Sequence, residues 1–476
     1  MRREINPFSG VDLFAVLLYL VIVVVGCICV TAASFDESSL EPFSFSHFYI
    51  KQIMWAAFSF IVAMAVLLLD SSMFYKYANM YYFSGILLLL LTLLVGREVN
   101  GAKAWLDLGP VRLQPVELVK IATALSMAKI MSDYSFSINK GADMLKVVLL
   151  LALPLSIIVL QNDTGSGIVF GSFLFVFYRE GLNKWLCLPV LLIATLFIVS
   201  FLISSELLLI ISLSVCILSN MMMTRAWRAH ITLIASIVLL TIALPLLSHF
   251  IFASELSLYG SLQLASLIMI PLSVSYAYRH KLQQSYILIS FYLFTILFLP
   301  ITNYIFTSIL REHQQNRIMA FLGLVSDPLG VGYNVNQSKI AIGSGGLFGK
   351  GFLNGTQIRY GFVPERHTDF IFCALGEEWG LVGVIFLLGC FAALILRLMS
   401  MGERQIDTFG RVYCYSVASI LLFHILVNVG MTIGLMPVMG IPLPFMSYGG
   451  SSLMAFTIML FVALRLDSSV GAGTRR

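Results

Sequence analysis

Apolar residues in this chain come in long unbroken runs, not in the short alternating patterns of a soluble fold. Runs of roughly 17–25 residues, the length a helix needs to cross a bilayer, begin near residues 11, 49, 74, 115, 144, 165, 184, 206, 229, 261, 284, 369, 409 and 447. This pattern predicts an all-α polytopic membrane protein with about 14 transmembrane helices. The run from 165 is short and interrupted by glycine. One polar stretch, from about Leu310 to Thr368, breaks the rhythm and predicts a long loop on one side of the membrane.

Composition agrees. Of 476 residues, 59% are hydrophobic and only 11% charged, and the mean hydropathy is +0.94. Soluble domains carry about 25% charged residues, and nothing in a net charge of +5 calls for a nucleic-acid partner. The first run, from about Val11 to Ala33, has no small-residue cleavage site and reads as a span, not a removed leader. All seven cysteines fall in apolar runs, and no Cys/His cluster has zinc-ligand spacing. Neither a disulfide framework nor a metal cage is expected.

Lys and Arg set the direction. With the N-terminus inside, eighteen of the 29 fall on the inner side, among them Arg2, Arg3, Lys76, Arg179, Arg397, Arg404, Arg411 and Arg465. Only four (Lys51, Arg97, Lys103 and Arg112) occupy short outer loops. Both termini are therefore expected in the cytoplasm. The stretch FVPERHTDFIF then brings His367, Thr368 and Asp369 to the outer surface, with Glu377 and Glu378 about 12 Å deeper in the helix that follows.

An ionisable group inside a span costs roughly 2.5–3.5 kcal/mol on insertion scales, so each needs a partner or a function. LQPVELVKIA sets Glu117 and Lys120 three residues apart on one helix face, where they either neutralise each other or meet a ligand. Asp163 of LQNDTGSG suits a helix N-cap, a role that can coexist with binding. Asp369 also suits a cap, but the dense polar run from Pro364 to His367 marks it as more than that. Glu377 and Glu378 read as structural acids hydrogen-bonded to neighbouring helices.

The long loop is rich in glycine, from Gly330 to Gly355, and interleaves Arg317, Lys339, Lys350, Arg359 and Arg366. Such a surface lets backbone N–H groups and cations meet an anion such as a phosphate; a solvated linker is the plainer alternative. NQSKIAIGSGGLFGKG is expected to form a short amphipathic helix ending at glycine on the membrane surface. A second outer loop, GLMPVMGIPLPFMSYGGSS (residues 434–452), carries almost no charge and reads as a wall.

Taken in order, NGAKAWLDLG, LQPVELVKIA, LQNDTGSG, DPLGVGYNVNQSKIAIGSGGLFGKGFLNGTQ, PERHTDFIF and GIPLPFMSYGGSS resemble the successive motifs of the SEDS family (shape, elongation, division and sporulation proteins), and its RodA branch more than its FtsW branch. That resemblance implies a peptidoglycan glycosyltransferase of the bacterial cytoplasmic membrane that polymerises lipid II at the outer face for elongation and rod shape. It also implies a partner, a class B penicillin-binding transpeptidase. Asp369 matches the family's essential aspartate, Glu117 and Lys120 its polar helix pair, and Asp163 the aspartate of its QPDxG turn. Asp369 is then the expected catalytic base, while Lys120, Arg112, Lys339 and Arg359 are candidates for holding the pyrophosphate, with His367 lining the same site. A divalent cation such as Mg or Mn is an alternative counter-charge whose ligands the sequence does not name.

Three departures stand out. Ala104 replaces the family's usual arginine, leaving Lys103 as the nearest substitute cation, and Asn162 replaces a proline. Where the family's ten-helix core would have one span, the region from Arg179 to Tyr304 holds five. The expected organisation is an N-terminal half of the core (1–180), inserted helices (181–283), a core helix (284–308), the long extracytoplasmic loop (309–368), C-terminal core helices (369–466) and a cytoplasmic tail (467–476). A lipid-linked oligosaccharide flippase and a non-catalytic scaffold of the cell-wall machinery are the competing readings.

Overall fold

Eleven helices among the described residues are long and apolar enough to cross a membrane. The structure is a computed structural model that describes residues 10–35, 47–99, 101–109, 111–182, 195–197, 199–200, 203–224, 226–252, 256–310, 312–322 and 331–473. Of the fourteen expected runs, the one near 184 begins outside these residues. The run from 115 forms a helix of 17 residues, buried along most of its length. The run from 165 is a broken pair of short helices, as its glycines suggest.

The chain divides into two compact units, Met1–Cys187 with Ser326–Arg476, and Leu188–Val325. The first contains α1 (Leu13–Ser34), α2 (Phe48–Leu68), α3 (Ser71–Val95), α4 (Pro115–Met131), α5 (Gly141–Leu160), α6 (Thr164–Val169) and α7 (Phe173–Arg179). The second contains α8 (Ser205–Thr224), α9 (Trp227–Phe252), α10 (Leu258–Arg279), α11 (Gln283–Tyr304) and α12 (Glu312–Phe321). The first unit resumes with α13 (Val331–Ser344), α14 (Thr356–Arg359), α15 (Ile371–Arg404), α16 (Thr408–Thr432) and α17 (Gly450–Gly473). Helix 284–308, expected to belong with the core, falls inside the second unit. There α9 is apolar on nearly every exposed position, and Ser266 and Tyr292 share a buried hydroxyl hydrogen bond of 2.8 Å.

The all-α expectation misses one feature: β1 (Arg97–Val99), β2 (Ala102–Leu108) and β3 (Val111–Leu113) form a small antiparallel sheet between α3 and α4. Val99 of β1 pairs with Ala102 of β2, and Gly101 before it has φ +84°. On β2, Ala104 points inward and is buried, whereas Lys103 is exposed. A charge at position 104 would therefore be buried here. Asn162 has φ +59°, which proline cannot adopt and asparagine tolerates.

At the end of the first unit where α1 begins and α15 and α17 finish, acids and arginines interlock. Asp12 caps α1 through Ala15 N–H and accepts from Arg397 at 2.6 Å and Arg404 at 3.1 Å. Arg404 also holds Asp467, and Arg411 grips Glu180 at 2.9 and 3.0 Å. Residues 467–473, the start of the expected tail, continue α17 to Gly473.

Candidate functional site

The opposite end of the first unit, where α4, α15 and α17 begin and α1 and α16 finish, brings most of the expected site residues together. Asp369 is half-buried, two residues before α15. Its carbonyl accepts from Asn428 Nδ2 at 2.8 Å, and the same amide donates to the carbonyl of Ile441 at 2.7 Å. One asparagine on α16 thus fixes both the aspartate and the loop that follows α16. The carboxylate lies against Gly440, where a Cβ would come within 3.6 Å of Oδ2. Gly440 has φ +68°, so a side chain there would be strained as well as close to the acid.

On the other side of that loop, Lys120 sits in a closed cluster. Its Nζ is 2.8 Å from Glu117 Oε2 and 2.8 Å from His424 Nε2, and it lies 5.4 Å from the Phe456 ring centre. His424 Nδ1 meets the carbonyl of Pro442 at 3.2 Å. A carbonyl only accepts, so Nδ1 carries the proton and Nε2 is left to accept from the ammonium. The Lys120 side chain is 1% exposed and that of Glu117 2%. The two charges face each other in an enclosed setting, on the far side of the loop from Asp369. Gly440–Pro442 is what the two share: Gly440 abuts the aspartate, and Pro442 receives the histidine bonded to the lysine.

Asp163 is an N-cap, accepting from Ser166 N–H at 3.1 Å, and Gln114 at the start of α4 donates to it at 3.3 Å. Gly165 lets α6 press against the Met439 carbonyl, which a Cβ would approach to 2.2 Å. Asp163 thereby braces the same loop that borders Asp369. His367 stacks on Phe48 with ring centres 4.5 Å apart, and its carbonyl accepts from Tyr448 N–H at 2.8 Å. Burial holds its imidazole below the ordinary pKa, Glu365 working against that shift and Arg366 with it.

The expected anion-binding cations divide. Arg112 pairs with Asp107 at 3.3 Å on the β2–β3 hairpin but stays 60% exposed, and its charge also reaches Tyr448. Arg359 and Lys339 are exposed. Lys339 lies over Gly434 just beyond the C-terminus of α16, where a Cβ would fall 2.5 Å from its Nζ, a placement that suits a cation. Arg366 is structural: its Nε donates to the Ala33 carbonyl at 2.6 Å and closes the end of α1.

Part of the glycine-rich loop packs against the helix that follows it. Helix α15 is broken at Gly380, φ +63°, and the loop after α13 bonds into the break. Lys350 N–H and Gly351 N–H donate to the carbonyls of Glu377 and Glu378 at 3.0 Å each. Leu381 N–H and Val382 N–H donate to Gly346 and Leu347 at 3.0 and 3.1 Å. Two backbones this close leave no room for side chains: a Cβ at Gly349 would lie 2.1 Å from the Glu378 carbonyl. Glu377, fully buried, gathers Lys350 Nζ at 2.7 Å, Gln357 N–H at 2.9 Å and Ile358 N–H at 3.0 Å. The expectation of structural acids fits it. The helix expected over NQSKIAIGS is α13, which ends at Ser344 just before Gly345 and Gly346.

His424, Asn428 and Phe48 escaped the sequence reading. The signal for the first two was present, since lone polar residues four apart in an apolar span are costly unless they bond across helices. Among the described residues no three His, Cys, Asp or Glu side chains converge as a protein-made metal site requires.

Fold and site define a multi-pass membrane protein whose half-buried carboxylate is held at one end of a helix bundle by a braced loop. The FTSW_RODA_SPOVE family of cell cycle proteins matches residues 12–213 and 205–470, and the chain belongs to that family. It is 31% identical over 466 residues to the peptidoglycan glycosyltransferase RodA of Treponema pallidum (strain Nichols), covering 98% of each chain. It is 30% identical to the peptidoglycan glycosyltransferase MrdB of Escherichia coli (strain K12) over 405 residues, 85% of this chain and 81% of that one. Among solved structures, a peptidoglycan synthase complex that coordinates polymerization and crosslinking aligns with a TM-score of 0.61 at 26% identity, over 97% of this chain and 98% of that one. The rod shape determining protein RodA of Thermus thermophilus shares the fold, with a TM-score of 0.55 at 23% identity over 97% of both chains.

Proposed function

We propose that this chain is a peptidoglycan glycosyltransferase that polymerises lipid II, with Asp369 as the general base. The observation that carries the reading is the near full-length similarity to relatives named for that activity. Asp369 takes the proton of the acceptor sugar's 4-hydroxyl as that oxygen bonds to the donor's anomeric carbon. The bond from that carbon to the prenyl pyrophosphate breaks, and the pyrophosphate leaves with the electron pair. Leaving-group charge needs cations nearby. Arg112, Lys339 and Arg359 suit that task better than Lys120, because they are exposed while Lys120 is enclosed. Lys120 and Glu117 act instead through His424 and Pro442, holding the loop against the aspartate.

The Asp369 end faces outward in this reading, a placement supported by the gathering of Arg179, Arg397, Arg404, Arg411 and Arg465 toward the other end. The solved synthase complex supports a cross-linking partner, which we assign as a class B penicillin-binding transpeptidase. Neither the flippase nor the scaffold reading gains an observation of its own. The test is polymerisation of purified lipid II, with product length read on a gel: the wild-type chain makes glycan strands, and Asp369→Asn is slower by at least about a hundredfold. Translocation of labelled lipid across vesicles without polymer would overturn the reading.

A further inference from the structure

Three rings from distant parts of the sequence meet at the stretch that leads into Asp369. Phe48 opens α2, His367 precedes Asp369 by two residues, and Tyr448 lies in the loop before α17. Phe48 and His367 stack at 4.5 Å with planes 24° apart, and Tyr448 meets Phe48 edge-on at 5.0 Å. Phe48 remains 42% exposed. Resting on the polymerase reading above, we propose that Phe48, His367 and Tyr448 form a platform for the apolar C–H face of the acceptor's terminal sugar, presenting its hydroxyl to Asp369.

Sugar rings need both kinds of surface: polar groups for their hydroxyls, and a flat apolar face for the axial hydrogens on one side of the ring. An exposed phenylalanine alone would be an ordinary interfacial anchor. Here the ring is joined to the reactive acid by a rigid link. The His367 carbonyl is pinned by Tyr448 N–H at 2.8 Å and the Asp369 carbonyl by Asn428 at 2.8 Å, so stack and carboxylate sit on one fixed three-residue stretch. One turn along α2, fully buried Gln52 donates to the Ser447 carbonyl at 3.5 Å and ties the helix bearing Phe48 to the loop bearing Tyr448. Gln52 Oε1 has no hydrogen-bond partner among the described residues. Burial lowers the His367 pKa, which disfavours a charge on the platform.

The experiment compares wild type, Phe48→Leu, Tyr448→Leu and Phe48→Trp, full-length in detergent. Polymerisation rate is measured against lipid II concentration, and binding of the soluble N-acetylglucosaminyl-N-acetylmuramic acid disaccharide is followed by ligand-observed NMR. Loss of one ring contact is expected to raise KM by about three- to tenfold with kcat within about twofold. Disaccharide binding weakens in step, and Phe48→Trp restores both. Unchanged KM and unchanged disaccharide binding in both leucine variants would overturn the platform, as would a fall in kcat at constant KM, which marks mere packing. A wild-type chain that binds the disaccharide through Phe48 but makes no polymer would refute the polymerase reading and leave the sugar platform standing.

Discussion

Removing the Lys120 ammonium while leaving Glu117 in place should be among the most damaging single changes in the first unit. Their charged atoms are 2.8 Å apart, and neither side chain is more than 2% exposed. At an effective dielectric near 20, opposite charges at that distance attract by ~6 kcal/mol. Several kcal/mol per ion of lost hydration offsets much of this, so the intact pair contributes little beyond what apolar side chains would. Breaking it is different. Lys120→Met strands a buried carboxylate and leaves His424 without its donor, at a cost of about 3–5 kcal/mol. Glu117→Leu strands the ammonium at a similar cost. The double variant removes both charges and should be less destabilised than either single one, a coupling of at least about 2 kcal/mol. Reversible unfolding in mixed detergent micelles, followed by tryptophan fluorescence, gives all four stabilities. Single losses below about 1 kcal/mol, or losses that simply add, would refute the reasoning.

Gly349→Ala forces a Cβ to within 2.1 Å of the Glu378 carbonyl at a φ of +77°, so the loop must leave the α15 break. We expect more than about 2 kcal/mol of destabilisation and faster proteolysis near residue 350, read by limited digestion; Gly343→Ala, with open space at its Cβ, is the matched control and should behave as wild type. His367 has a folded-state pKa below its ordinary 6.5, so the unfolded chain binds the extra proton first as pH falls. Its contribution is full above about 6.5 and is lost on acidification below that value. Unfolding midpoints at pH 7.5 and 5.5 should therefore differ more in wild type than in His367→Phe, and equal differences would remove burial as the cause.

Much of this was legible in the chain because bilayers impose a crude grammar. Length and apolarity located the long helices, and an i,i+3 spacing was enough to pair Glu117 with Lys120. What pairs through space was not legible. His424 reaches Lys120 across 304 positions and Asn428 reaches Asp369 across 59, and no local pattern encodes either partner. The packing of the glycine-rich loop was hidden for a related reason: glycines that let backbone approach an anion look the same as glycines that let backbone approach backbone. The partners of Lys350 N–H and Gly351 N–H are the carbonyls of Glu377 and Glu378, at the kink before Gly380. The β1–β2 hairpin was announced by Asn-Gly but passed over beside so many apolar runs.

The account turns on one carboxylate, and the most direct measurement is glycan-strand formation from purified lipid II by Asp369→Asn alongside wild type. Asparagine keeps the size and the backbone bonds to Asn428 but cannot take a proton, so the account predicts a correctly folded protein with polymerisation down by at least about a hundredfold. Strands of normal length at near-normal rate from that variant would contradict it.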